Sequence, residues 1–162
     1  MYSKTLDFWN LVDTHNVDVV IGTESWLTGE IRNAEVFRVD ITTFRTDRRA
    51  RVGRVFICVK NCNVCAELWV DEGLEIIAVA VKGMDPKYTW AIIGIYRAPY
   101  EDTRLIEILA ARTGFSRNST KRSITSRDLN LPQADWNGNA KGTSGNQVFI
   151  NRLVRKTDTR RL

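Results

Sequence analysis

Three apolar segments of this chain end on polar side chains of the kinds that handle phosphates and hard cations. Glu24 follows the apolar run VDVVIG at 17–22, Tyr96 closes TWAIIGIY at 89–96, and Asp128 and Asn130 end a third segment that starts at Ser123. The C-terminal ends of strands are where α/β sheets tend to bind ligands. In Asp128-Leu129-Asn130 the polar residues are two apart, so extended backbone would aim both side chains to one side. Carboxylate and amide oxygens suit a hard cation such as Mg²⁺, which prefers oxygen ligands and keeps several waters. An Asp and an Asn facing one pocket could hold a metal-bound phosphate and orient an attacking water. The same residues, followed by Leu131 and Pro132, also make an ordinary turn leaving a strand, because Asp, Asn and Pro favour turns. Spacing alone leaves both readings open.

These groups need a scaffold, and the chain of 162 residues is long enough for one domain with a sizeable core. Its composition, 43% hydrophobic and 27% charged, is that of a globular protein. No run approaches the roughly 20 apolar residues of a membrane helix, so no membrane association is expected. The first ten residues lack an apolar leader core, which predicts an intracellular protein, nuclear or cytoplasmic. Leu6, Trp9, Leu11 and Val12 predict an amphipathic helix over the first fifteen residues. Val17–Gly22 and Val55–Lys60 predict buried strands, and Val36–Arg45 a weaker extended region. Val64–Val70, Glu75–Val81 and Thr89–Tyr96 predict an antiparallel meander. Helices are expected at 101–112 and 146–155, with a short strand at 123–128 and a polar loop at 131–145.

Charge is unevenly placed on this chain of net charge +5. Arg45–Arg54 holds five Arg against one Asp, Arg117–Arg127 four basic residues and no acid, and Arg152–Arg161 five against one. Such clusters suit a polyanion, since each phosphate contact releases counterions; a solvated surface is the competing account. Cys58, Cys62 and Cys65 lack a fourth ligand nearby in sequence, so strand thiols are expected rather than a zinc site.

At the strand ends the sequence resembles a known family. Val19-Val-Ile-Gly-Thr-Glu24-Ser-Trp-Leu27 is similar to the glutamate motif of the endonuclease/exonuclease/phosphatase superfamily, and Ile95-Tyr96-Arg97-Ala-Pro99 to its tyrosine motif. Asp128-Leu-Asn130-Leu-Pro-Gln-Ala-Asp-Trp136 is similar to its aspartate motif, in the form found in endonuclease domains of non-LTR retrotransposons. The three stand in family order, over about residues 5–155. The resemblance implies an α/β fold, a four-layer αββα sandwich of two mainly antiparallel sheets, over residues 1–155, with 156–162 a basic polar tail. By the same resemblance Glu24 would coordinate Mg²⁺ or Mn²⁺, and Tyr96 would donate a hydrogen bond to the scissile phosphate. Asp128 would orient or deprotonate the attacking water, and Asn130 would bind a phosphate oxygen. The expected partner is DNA, nicked to leave a 3′-hydroxyl; intact relatives carry such a domain in a larger reverse-transcriptase polyprotein. Arg45, Arg48, Arg49, Arg51 and Arg97 are the expected nucleic-acid contacts.

The chain also departs from the family pattern. The family begins with a strand bearing a catalytic Asn and ends with a Ser-Asp-His motif, and neither is found here; the only histidine is His15. Ser126-Arg127 replaces the small pair that usually precedes the aspartate. These departures predict a domain incomplete at both termini, marginally stable, and weak or inactive as a nuclease. Two other readings follow: a remnant that binds nucleic acid without cutting it, and a superfamily phosphatase acting on another phosphate substrate.

Overall fold

The computed structural model describes residues 2–25, 27, 29–46, 54–71, 73–82, 88–97 and 122–128. Helix α1 spans Tyr2–Thr14, followed by β1 (Val19–Thr23), a single turn α2 (Asn33–Val36) and β2 (Ile41–Arg45). Then come β3 (Val55–Lys60), β4 (Val64–Asp71), β5 (Ile76–Lys82), β6 (Thr89–Tyr96) and β7 (Arg122–Asp128). Of the two runs expected as buried strands, Val55–Lys60 forms the central and buried β3, whereas Val17–Gly22 gives β1, a half-buried edge strand with β3 on one side only.

The strands form two sheets, ordered β1-β3-β2 and β4-β5-β6-β7. All pairings are antiparallel except β6 with β7, which run parallel. The sheets stack face to face. Val55, Ile57 and Val59 of β3 meet Ile77, Val79 and Val81 of β5 and Ile92 and Tyr96 of β6 in one apolar cluster. A second cluster lies on the other side of the first sheet, where Trp9 and Val12 of α1 pack with Leu27, Phe37 and Cys58. The outward residues of the second sheet, Ile76, Ala78, Ala91, Ile93 and Ile95, are buried too. Helix on sheet on sheet is the layering of an αββα sandwich, the expected fold class. The helices expected at 101–112 and 146–155 lie outside the described residues.

Two local expectations need correcting. Helix α1 forms where expected, but Leu6 is 64% and Leu11 58% exposed, so its buried stripe is Phe8, Trp9 and Val12. Aromatic area decides that rotation: Trp9 stacks edge-on with Phe8 and Phe37, and its Nε1–H donates to the Val36 carbonyl. The strand expected from Glu75 starts one residue later, because Glu75 has φ 49°, a left-handed conformation that no strand residue adopts. The cysteines are strand and turn thiols, all free: Cys58 is buried beneath α1, Cys62 is exposed, and Cys65 packs into the core between the sheets.

Candidate active site

Register brings three strand ends to one rim of the sandwich. In the parallel pair, Tyr96 lies beside Asp128, each the last residue of its strand. Tyr96 belongs to the cluster between the sheets, and a register neighbour in a sheet shares its face, so the Asp128 carboxylate also leans toward the first sheet. From that sheet, at the end of β1, Thr23 Oγ1 donates to Asp128 Oδ2 over a long 3.4 Å.

Alternation along β1 would then turn Glu24 the opposite way, toward the α1 side of its sheet. The backbone breaks the alternation here: Glu24 has φ 54°. A left-handed non-glycine residue costs about 1–2 kcal/mol. The conformation re-aims the side chain, and Tyr96 Oη–H donates to Glu24 Oε1 at 3.0 Å. The tyrosine ring is buried while the glutamate is exposed, so a rigid phenol positions a carboxylate that solvent can reach. Backbone strain at an exposed carboxylate is the kind found where a group is held for a ligand.

The site thus offers two carboxylates, a phenol and a hydroxyl, all hard oxygen donors of the kind that Mg²⁺ and Mn²⁺ take. Among the described residues no three His, Cys, Asp or Glu side chains cluster to cage a metal ion. Mg²⁺ is commonly bound through one or two carboxylates, the rest of its shell being water and substrate phosphate. The donor set therefore fits such an ion.

The remaining candidates divide. Arg97 is 5% exposed, and its backbone N–H donates to the Asp128 carbonyl at 2.8 Å, continuing the β6–β7 pairing past Tyr96. Arg45, at the end of β2, is half-buried and gives Nη2–H to the Ile31 carbonyl at 2.7 Å. Asn130, Arg48, Arg49 and Arg51 lie outside the described residues. The sequence reading missed Thr23, Glu75 and Arg54. Thr23 directly precedes the glutamate, and an acid opening an apolar strand was the available sign of Glu75.

Two stacked sheets, the first covered by α1 and both contributing polar groups to one rim, make up the described fold. The chain is similar in structure to the endonuclease domain of TRAS1, a telomere-specific non-LTR retrotransposon. The TM-score is 0.63 at 16% sequence identity, over 94% of this chain and 64% of that one. It is also similar to truncated TDP2 from Caenorhabditis elegans, with a TM-score of 0.54 at 8% identity, over 79% of this chain and 55% of that one. The chain thus spans less than two thirds of either structure. No protein-family model matches the sequence, and no curated protein matches it in sequence. At these identities the likeness establishes the fold.

Proposed function

We propose that this chain is a metal-dependent phosphodiesterase that nicks DNA to leave a 3′-hydroxyl. One observation carries the reading: the Tyr96–Glu24 hydrogen bond, set beside Asp128 at a rim where both sheets contribute. Glu24, exposed and oriented, is the residue to hold Mg²⁺ or Mn²⁺. When bound, such an ion neutralises charge on the phosphate and orients it. When substrate binds, the single Tyr96 O–H turns from Glu24 to hydrogen-bond a phosphate oxygen, which leaves the carboxylate free for the ion, while the buried ring fixes where the hydroxyl stands. Asp128, held from the side by Thr23, orients or deprotonates the water, and Asn130 binds a further phosphate oxygen. Hydrolysis of a phosphodiester depends mainly on such positioning and on charge stabilisation. The named activity of the TRAS1 domain points to nucleic acid as the substrate, and Arg48, Arg49 and Arg51 are the side chains assigned to its backbone, since Arg97 is buried and Arg45 is engaged with the Ile31 carbonyl.

A second reading, binding without cutting, is favoured by the place of the sole histidine. His15 lies exposed just after α1, at the opposite end of β1 from Glu24, so its imidazole stands away from this rim. Supercoiled plasmid incubated with the protein and Mg²⁺ or Mn²⁺ separates the two. The nuclease reading expects nicked circles whose ends prime a polymerase, formed on the order of 100-fold more slowly by Asp128→Ala. Salt-sensitive binding with no nicking would establish the second reading, and nicking unaffected by Asp128→Ala would sink the proposed site.

A further inference from the structure

Below the rim sits a carboxylate that the proposed chemistry does not use. Glu75 is completely buried, in a left-handed conformation at φ 49°. A buried charge is costly unless hydrogen-bonded, and bonds between a carboxylate and a backbone N–H are among the stronger ones. Its Oε2 accepts the backbone N–H of Arg54 at 3.0 Å, and Arg54 is itself buried, with φ 105°. The Glu75 carbonyl accepts the Tyr96 N–H at 3.1 Å. One residue thereby grips both sheets: by its side chain the start of β3, and by its backbone the end of β6.

The contacts close a ring. Arg54 precedes Val55, which pairs with Thr23; Thr23 precedes Glu24; Glu24 accepts from Tyr96 Oη; and Tyr96 N–H returns to Glu75. Each link is one covalent step or one hydrogen bond, except the Val55–Thr23 strand pairing, which is a close backbone contact. The way Tyr96 Oη meets Glu24 thus depends on the inter-sheet spacing at this rim, and the Glu75 side chain spans that spacing.

We infer that Glu75 is the positioning residue of this rim, a buried strut that holds the Tyr96 hydroxyl on the Glu24 carboxylate; its importance for cleavage rests on the phosphodiesterase reading. It touches neither phosphate nor metal and acts through Tyr96. Reach to the Arg54 N–H is what matters, so Glu75→Gln, which keeps the length and an acceptor oxygen, preserves the geometry. Glu75→Asp keeps the charge but is one methylene too short, and Glu75→Ala removes the strut.

The readout is the ζ-carbon resonance of Tyr96 in protein carrying ¹³C-labelled tyrosine, assigned by its disappearance in Tyr96→Phe. Its reference is the displacement caused by Glu24→Gln, with thermal melting run alongside to confirm folding. Glu75→Asp is expected to displace the resonance comparably, and Glu75→Gln to leave it in place. If Glu75→Ala does not fold, the Asp and Gln variants decide the matter alone. Where the parent nicks DNA, Glu75→Asp lowers kcat by on the order of 10–100-fold with KM little changed, and Glu75→Gln restores it. A Tyr96 resonance unmoved in Glu75→Asp overturns the inference, as does one displaced equally in Glu75→Gln. A parent that never nicks defeats the phosphodiesterase reading instead, while the resonance still decides the role of Glu75.

Discussion

A single dihedral at Glu24 separates this rim from an ordinary strand end. With φ 54° the glutamate leaves the alternation of β1 and meets a phenol from the opposite sheet. Without that turn its carboxylate would face the α1 side, where Val20 and Phe56 pack. Burial acts on single residues elsewhere in the same sheet, and most clearly at Cys58. Packed beneath Trp9 and Val12, its thiol is pushed up from 9.0 to about 11 by desolvation of the thiolate, the Thr43 hydroxyl at 3.6 Å offsetting only part of this. A pKa raised in the folded state means that the unfolded chain releases this proton first. The contribution of Cys58 to stability is therefore whole below about pH 9 and falls away as pH rises toward about 11. Other groups titrate there as well, so the comparison is parent against Cys58→Ala: the parent is expected to lose more of its melting temperature over that window. A disulfide reagent at pH 8 should modify exposed Cys62 first and Cys58 only on unfolding. Equal rates at Cys58 and Cys62 would show that α1 does not cover β3.

Between elements, the decisive quantity is how closely the two sheets approach. Gly94 of β6 marks one close approach between them: a β-carbon there would stand 2.6 Å from Val55 Cγ1 and 3.0 Å from Ile21 Cγ2, both in the facing sheet. Close-packed interiors cannot take up such an overlap without shifting, and overpacking of this kind costs about 1–3 kcal/mol. Gly94→Ala is expected to lower the melting temperature by several degrees, whereas Gly29→Ala, with nothing within 4 Å of the new carbon, should leave it nearly unchanged. Equal melting of the two variants would mean that the sheets do not meet at Gly94. The strands on either side of this contact were legible in the sequence because β-branched runs such as VFICVK and IIAVAVK have few other uses. The rotation of α1 was not: Leu6 and Leu11 have the spacing of a buried face, and only the tertiary partners of Trp9 turn them outward. At the site, residue types placed Glu24, Tyr96 and Asp128 at strand ends, and the structure brings them together. The struts behind them were hidden, since a left-handed Glu75 and a buried Arg54 N–H depend on contacts between residues far apart in the chain.

At the scale of the whole molecule, the two strand ends that flank an arginine-rich stretch of the sequence meet at the same rim. The arginine-rich stretch is anchored where β2 ends at Arg45 and β3 begins at Val55, and Val55 is the register partner of Thr23, beside Glu24. Thr46 N–H donates to the Val55 carbonyl at 3.1 Å, and Val55 N–H returns to Thr46 Oγ1 at 3.3 Å, so both ends of the stretch are pinned to the site end of the first sheet. A net charge of +5 is modest for a nucleic-acid binder, which makes the placement of charge matter more than its sum. If Arg48, Arg49 and Arg51 meet the backbone of duplex DNA, each phosphate they neutralise steepens the fall of log K with log salt by about 0.9. Replacing all three with Gln should therefore flatten that slope by up to about 2.7 and weaken binding almost equally for every sequence, because phosphate contacts position the duplex without reading bases. The measurement is fluorescence anisotropy of a labelled duplex across a salt series, with parent and triple variant at matched folding. A slope unchanged by the three substitutions would move the DNA away from this rim, and Glu24, Tyr96 and Asp128 would then have no duplex to act on.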